Sequence, residues 1–342
     1  MPAPMKPSTS IFNSELILVF ALAVVAWGAG WLLNQSDLFS PGASAIAMFA
    51  GMGIALATGW DFHGGRLFTR RLLPAAIVLL GFELDLSVVS GADIGVTGLA
   101  AIAATVTMSF LVAVVGARLL GVTAPSGAAL GAGGAICGNS AVLAVAPSLR
   151  LKQADIALVL AAINLLGLVM FFVVVAISDA LQLDPIAAGI WAGSSIHAVP
   201  QAIAAGEAIG PEGLAVATAV KLSRVSLLVI VVPLFGVLGR RIAPDESLDD
   251  ATSTSWTSAL RLPLFVPGFI LAVIIGNLLP DQAAESLGYS GRLILLPVLA
   301  AVGLAVTRTT LKQTGGRVFL VGTFSTVALA AASLAVIMAL YD

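Results

Sequence analysis

Charge is scarce in this chain. Only 10% of its 342 residues are Asp, Glu, Lys or Arg, against 59% hydrophobic. A soluble core of this length needs far more polar surface, so a soluble globular protein is excluded. The net charge of −2 says little about partners, and nucleic-acid binding has no support. A single cysteine, Cys137, rules out an internal disulfide and a multi-cysteine metal site. The leading stretch MPAPMKPSTSIFNSE lacks a cleavable-signal pattern, so the first apolar run is expected to stay as a helix.

What remains is apolar helix. Mean hydropathy is +1.07, and 35 glycines suit closely packed membrane helices. The fold class expected is an all-α polytopic membrane protein forming one transporter domain over 1–342. A span needs about 20 apolar residues. Nine candidates follow: 15–33, 41–59, 71–88, 95–119, 154–179, 213–239, 262–279, 291–307 and 317–340. Two further apolar stretches, 123–149 and 185–208, are broken by small and polar residues. Each either crosses once or enters and leaves on one side as a re-entrant hairpin.

Internal repetition and charge both favour hairpins. Gly193 lies sixty residues after Gly133, and at that offset AGSSIHAVPQAIAAG falls on AGGAICGNSAVLAVA without a gap. A second match pairs GRLFTRRLLPAAIVLLG from Gly65 with GRLILLPVLAAVG from Gly291. Only nine spans plus two hairpins give both pairs opposite orientation, an inverted repeat with halves of about 41–179 and 185–340. The same topology puts Arg66, Arg70, Arg71, Arg150, Lys152, Arg240 and Arg241 on one face. Arg292 is then the lone basic residue opposite, among Asp37, Asp93, Asp179, Asp184 and Glu207. The positive-inside rule sets the N-terminus in the cytoplasm and the C-terminus outside. The stretch 242–260 reads as a cytoplasmic linker.

Backbone left unpaired at membrane depth survives only inside protein or along a polar cavity. A hairpin arm of about 12 residues rises about 18 Å, so the tips, near Cys137–Ser140 and Ser194–Pro200, are expected to meet mid-membrane. Asn139, Ser140 and Ser195 are N-cap types, and Pro200 suits a first helical turn. Two helix N-termini would then aim N–H groups at one point, an arrangement that favours an anion. Beside them run Lys221 and Arg224, three apart and on one helical face, with Arg224 about 18 Å along the span from Glu212. A central charge is costly, and no acid sits at that depth in the same span. The pair is therefore expected to bind an anion, stiffening of a helix contact by bonds to hairpin carbonyls being the alternative. The Arg224→Ala variant is accordingly expected to fold but to lose its ligand.

The expected substrate site comprises Arg224, Lys221, Asn139, Ser140, Ala141, Ser195, His197, Gln201 and Asn164. His197 could bind substrate or carry a coupled proton; Cys137 reads as packing. Glu83 and Asp85 read as a solvated helix end or the lining of an exit route, Asp61 and His63 as interface residues. An enzyme is not expected, because no third orienting acid or metal-ligand cluster lies near the tips. No cofactor is expected, with a coupling Na+ or H+ left open. The partners are a small inorganic or organic anion, the bilayer and a second copy of the chain as a homodimer.

At these residues the sequence resembles the YeiH family of bacterial membrane proteins, described as sulfate exporters. The likeness runs from about residue 41 to the C-terminus. It is carried by AICGNSAVLAVAP (135–147), GIWAGSSIHAVPQAIAAG (189–206), VKLSRVSLLV (220–229) and GFELDL near Gly81. The resemblance implies an inner-membrane secondary carrier, distantly related to citrate, glutamate and bile-acid symporters, whose broken elements meet at a central site. It suggests sulfate, sulfite or a small sulfonate as cargo. A sodium- or proton-coupled carboxylate symporter is the other reading on the same scaffold. One departure stands out: many relatives place a carboxylate directly after the tip histidine, where this chain has Ala198. That puts proton coupling through this motif in doubt.

Overall fold

The computed structural model describes residues 9–34, 42–59, 68–84, 92–242, 265–308 and 316–341. Asp61, His63, Asp85 and the linker beyond Ile242 lie outside the described residues. In chain order the helices are α1 (Thr9–Asn34), α2 (Ala43–Thr58), a π-helical turn (Phe68–Leu72) running into α3 (Leu73–Gly81), α4 (Ala92–Leu120), α5 (Ala124–Ala135), α6 (Asn139–Val145) and α7 (Gln153–Ala180). They continue with α8 (Pro185–Ser195), α9 (Val199–Ile209), α10 (Pro211–Ser226), α11 (Leu228–Ile242), α12 (Phe265–Gly276), α13 (Asp281–Leu304) and α14 (Arg317–Leu340). Among the described residues there is no strand, and the chain is an all-α polytopic membrane protein.

Local chemistry sets the boundaries. Gly59, in the left-handed region at φ 68°, ends α2. Thr123 caps α5 by accepting from the Ser126 N–H, and Asp184 caps α8 by accepting from Ile186 and Ala187. Prolines open α5, α8, α9 and α10, where a missing N–H costs nothing.

Each of the nine expected spans overlaps a helix among the described residues, but bounds and lengths differ. Among the described residues six segments are long and apolar enough to cross a membrane: Glu15–Leu33, Gly95–Leu120, Gln153–Ala180, Pro211–Leu238, Asp281–Leu304 and Arg317–Leu340. Helix α2, the 68–81 segment and α12 are shorter than about 20 residues. Helix α13 begins ten residues before the span expected at 291, because DQAAESLGYS continues the helix instead of forming a loop. Large apolar side chains such as Phe20, Val24, Trp31, Leu99 and Leu119 are exposed, as a lipid-facing surface requires.

The chain divides into two compact units. The first holds α1, α2, α3, most of α12, and α13. Its closest approach is between α2 and α13: a Cβ on Gly51 would run into the Ala300 carbonyl, and one on Gly303 into that of Met48. Arg292 of α13 pairs with Glu83 just past α3 at 2.5 Å, both side chains about 30% exposed (30% and 28%). Of the two acids expected at a solvated helix end, Glu83 is thus paired with Arg292 in a partly exposed ion pair.

The second unit holds α4 to α11 and α14. Within it α14 lies along α4, α5 packs on α4, and both α8 and α9 pack on α10. The expected repeat halves do not coincide with the units. Each half supplies two helices to the first (α2 and α3; α12 and α13) and the remainder to the second.

Candidate functional site

Both broken stretches fold as helix, short break, helix, and both lie in the second unit. In the first, α5 stops at Ala135, the chain turns through Ile136, Cys137 and Gly138, and α6 starts at Asn139. Gly138 sits at φ 68°, a backbone that only glycine adopts without strain, and it is the residue that precedes α6. Asn139 and Ser140 are therefore inside the helix and do not cap it, contrary to expectation; no side chain caps this end. In the second stretch α8 ends with Ser195, the chain extends through Ile196, His197 and Ala198, and α9 starts at Val199 with Pro200 in its first turn. Ser195 closes a helix and opens none, so its expected capping role is also corrected. The two breaks touch: a Cβ on Gly138 would lie 3.5 Å from the His197 carbonyl oxygen.

A helix end leaves its last carbonyls without intrahelical donors, and here two such ends are buried side by side. The accounting for α5 closes through α10, which also serves the end of α8. The Ala132 and Gly133 carbonyls accept from the Ile136 and Gly138 N–H groups at 3.1 and 3.0 Å. Arg224 serves the next two, its Nε donating to Ala135 at 3.0 Å and its Nη2 to Gly134. On the other break, Arg224 Nη1 donates to Gly193 at 3.0 Å and to Ile196 at 3.2 Å. Lys221 Nζ donates to Ile136 at 3.0 Å and to Ile196 at 2.6 Å. Both cations are fully buried. Four of the five guanidinium N–H groups are thus spent on backbone, and the cations sit at the negative ends of α5 and α8.

A second group of polar atoms at the same breaks has no such partners. The buried Asn139 Oδ1, Ser195 Oγ, His197 Nδ1 and Gln201 Oε1 make no hydrogen bond within the protein. Ser195, His197 and Gln201 are almost wholly buried. Their other contacts fix where they stand. His197 Nε2 meets Thr326 Oγ1 at 3.1 Å, and Gln201 Nε2 donates to the Asn164 carbonyl at 3.3 Å. On α7, Gly167 leaves the room that the Gln201 amide and the His197 Cβ occupy. Buried polar atoms normally find partners, and a group of exceptions at one place calls for an explanation such as a bound water, ion or ligand. Replacing Thr326 by valine keeps the shape and removes the His197 partner. Thermal unfolding should register a loss of about 1–3 kcal/mol, and an unchanged melting temperature would mean that the contact holds nothing in place.

A family model described as Conserved hypothetical protein 698 matches residues 14–322. The UPF0324 membrane protein blr3189 of Bradyrhizobium diazoefficiens is 30% identical over 347 residues, covering 98% of this chain and 97% of its own. The UPF0324 inner membrane protein YeiH of Escherichia coli K12 is 30% identical over 307 residues, 86% of this chain and 85% of its own. BH02290 of Bartonella henselae, another UPF0324 membrane protein, is 31% identical over 334 residues, 95% and 92% of the two chains. The chain belongs to the UPF0324 family, that of YeiH. No solved structure matches it.

In this YeiH-family chain most of the expected site residues do gather at the two breaks. Lys221 and Arg224 are there, but bonded to carbonyls, so the alternative weighed for them describes their contacts. Asn139, Ala141, Ser195, His197 and Gln201 are there with them. Ser140 differs, its side chain being exposed, while Asn164 contributes a backbone carbonyl from a half-buried position. Thr326 was not expected, nor was Ser333, whose hydroxyl meets that of Ser194 at 2.6 Å. A signal existed for both. They lie seven residues apart, two turns of one helix face, in a mostly apolar helix that also carries Thr323 and Ser325.

Proposed function

We propose that this chain is a secondary carrier of a small oxyanion. Sulfate, sulfite or a small sulfonate would be exported across the bacterial inner membrane by alternating access. The observation that carries this reading is the pair of unpartnered buried polar atoms able to donate a hydrogen bond, Ser195 Oγ and His197 Nδ1, beside two buried cations. An isolated fold gains nothing from such atoms, whereas a bound ligand recovers their desolvation cost. Lys221 and Arg224 supply positive charge from behind, and the direct donors are the Ser195 hydroxyl, the Asn139 amide, the His197 ring and N–H groups at the starts of α6 and α9. Unit two would be the moving body and unit one the scaffold, an elevator within a homodimer, with the N-terminus cytoplasmic and the C-terminus outside.

The test is a thermal-shift screen on purified protein with sulfate, sulfite, methanesulfonate and dicarboxylates. A ligand at about a hundred times its Kd adds about 2.7 kcal/mol to the folded state, a clear rise in melting temperature. If dicarboxylates alone shift the transition and do so only with sodium, the symporter reading replaces this one. No shift from any anion removes both.

A further inference from the structure

We propose that Lys221 and Arg224 are tethered occupants of a carbonyl-lined cation site, filling the place that a coupling metal ion would take, so that the protein works without sodium. Only the word coupling rests on the carrier reading above; the occupied carbonyls do not depend on it. Unwound helix ends present backbone carbonyls, hard oxygen donors of the kind that hold sodium in broken-helix carriers. Two such ends converge here, and five of their carbonyl oxygens, those of Gly134, Ala135, Ile136, Gly193 and Ile196, point at one region. Every one of the five already accepts from a side-chain nitrogen of α10. Ile196 accepts twice, from Lys221 Nζ at 2.6 Å and from Arg224 Nη1 at 3.2 Å.

Charge points the same way. Lys221 and Arg224 are both fully buried, and among the described residues of the second unit no carboxylate is buried with them. A sodium ion entering this cage would be a third positive charge, and it would have to displace nitrogen donors that cannot diffuse away. A diffusible ion delivers charge and cross-links two broken helices only while it is bound. The ammonium and guanidinium do both permanently.

The experiment uses the full chain purified in detergent, melted in sodium chloride and in choline chloride at equal ionic strength. The wild type should melt at the same temperature in both. Lys221→Met, which keeps most of the length of the side chain and removes its donors, should melt lower. Lys221→Gly should melt lower still and recover part of the loss with n-butylammonium chloride, whose four carbons and nitrogen replace the missing arm. A sodium-dependent melting temperature in the wild type overturns the proposal. So does a Lys221→Met protein as stable as the wild type. Should Lys221→Gly fail to fold, those two comparisons still decide. An anion that shifts the wild type only in sodium defeats sodium independence and leaves the carrier standing. The absence of any anion effect defeats the carrier and leaves the cation result untouched.

Discussion

Arg224→Ala is expected to cost the protein its fold, not merely its ligand. The guanidinium donates to Gly134, Ala135, Gly193 and Ile196, and all of these bonds are buried. A hydrogen bond to a charged group contributes about 1.5–3 kcal/mol, and a carbonyl left buried without a donor costs about 1–3 kcal/mol. These figures do not add fully within one network, yet even partial summation exceeds about 4 kcal/mol. Domains are stable by only about 5–15 kcal/mol. The measurement is the yield of monodisperse protein and its melting temperature in detergent. Arg224→Lys should fall between wild type and alanine, because an ammonium can reach some of the carbonyls but cannot span both breaks as a planar fork does. An alanine variant that melts like the wild type would free Arg224 for a ligand and return it to the role that the sequence suggested.

The opposite behaviour is expected at Ser195. Its hydroxyl oxygen is buried and unpartnered, so Ser195→Ala removes a desolvated group without breaking a bond. In the absence of ligand the variant should melt at or above the wild-type temperature, by up to about 2 kcal/mol in stability. Anion binding should weaken at the same time. One donor lost to a charged ligand is about 1.5–3 kcal/mol, which is roughly 10- to 100-fold in Kd. Asn139→Ala and His197→Ala should lose affinity by comparable factors. His197→Ala additionally breaks the contact with Thr326, so its stability should fall where that of Ser195→Ala does not. Calorimetric titration with the best anion from the screen, alongside melting curves, separates the two effects. A Ser195→Ala protein with unchanged affinity and lowered stability would show that the hydroxyl is structural.

Much of this was legible in the residues. The breaks were visible because Gly138, Asn139 and the Ser194–Ser195 pair interrupt apolar helix, and the sixty-residue offset linked them. Arg224 could be placed at depth by counting 1.5 Å per residue from Glu212. What a count along one helix cannot supply is the partner. The carbonyls that claim Arg224 come from residues 28 to 90 positions away. They exist as free acceptors only because α5 and α8 stop where they do. The pairing of Arg292 with Glu83 was hidden for another reason. A polar prefix made 281–290 look like loop, whereas Asp281 to Ser290 is continuous helix that carries Arg292 alongside residue 83. Thr326 was overlooked because one hydroxyl barely alters the hydropathy of a 24-residue helix.

The shared oxygen of Ile196 has a mechanical corollary. Since Lys221 and Arg224 each reach across to both interruptions, the two are riveted to a single rod, α10, and to one another. Neither could flap aside as a lid without shearing several buried rivets at once. On the carrier reading proposed above, exchanging the site between the two sides of the membrane would therefore carry the whole riveted assembly along, as a lift carries its floor and ceiling together.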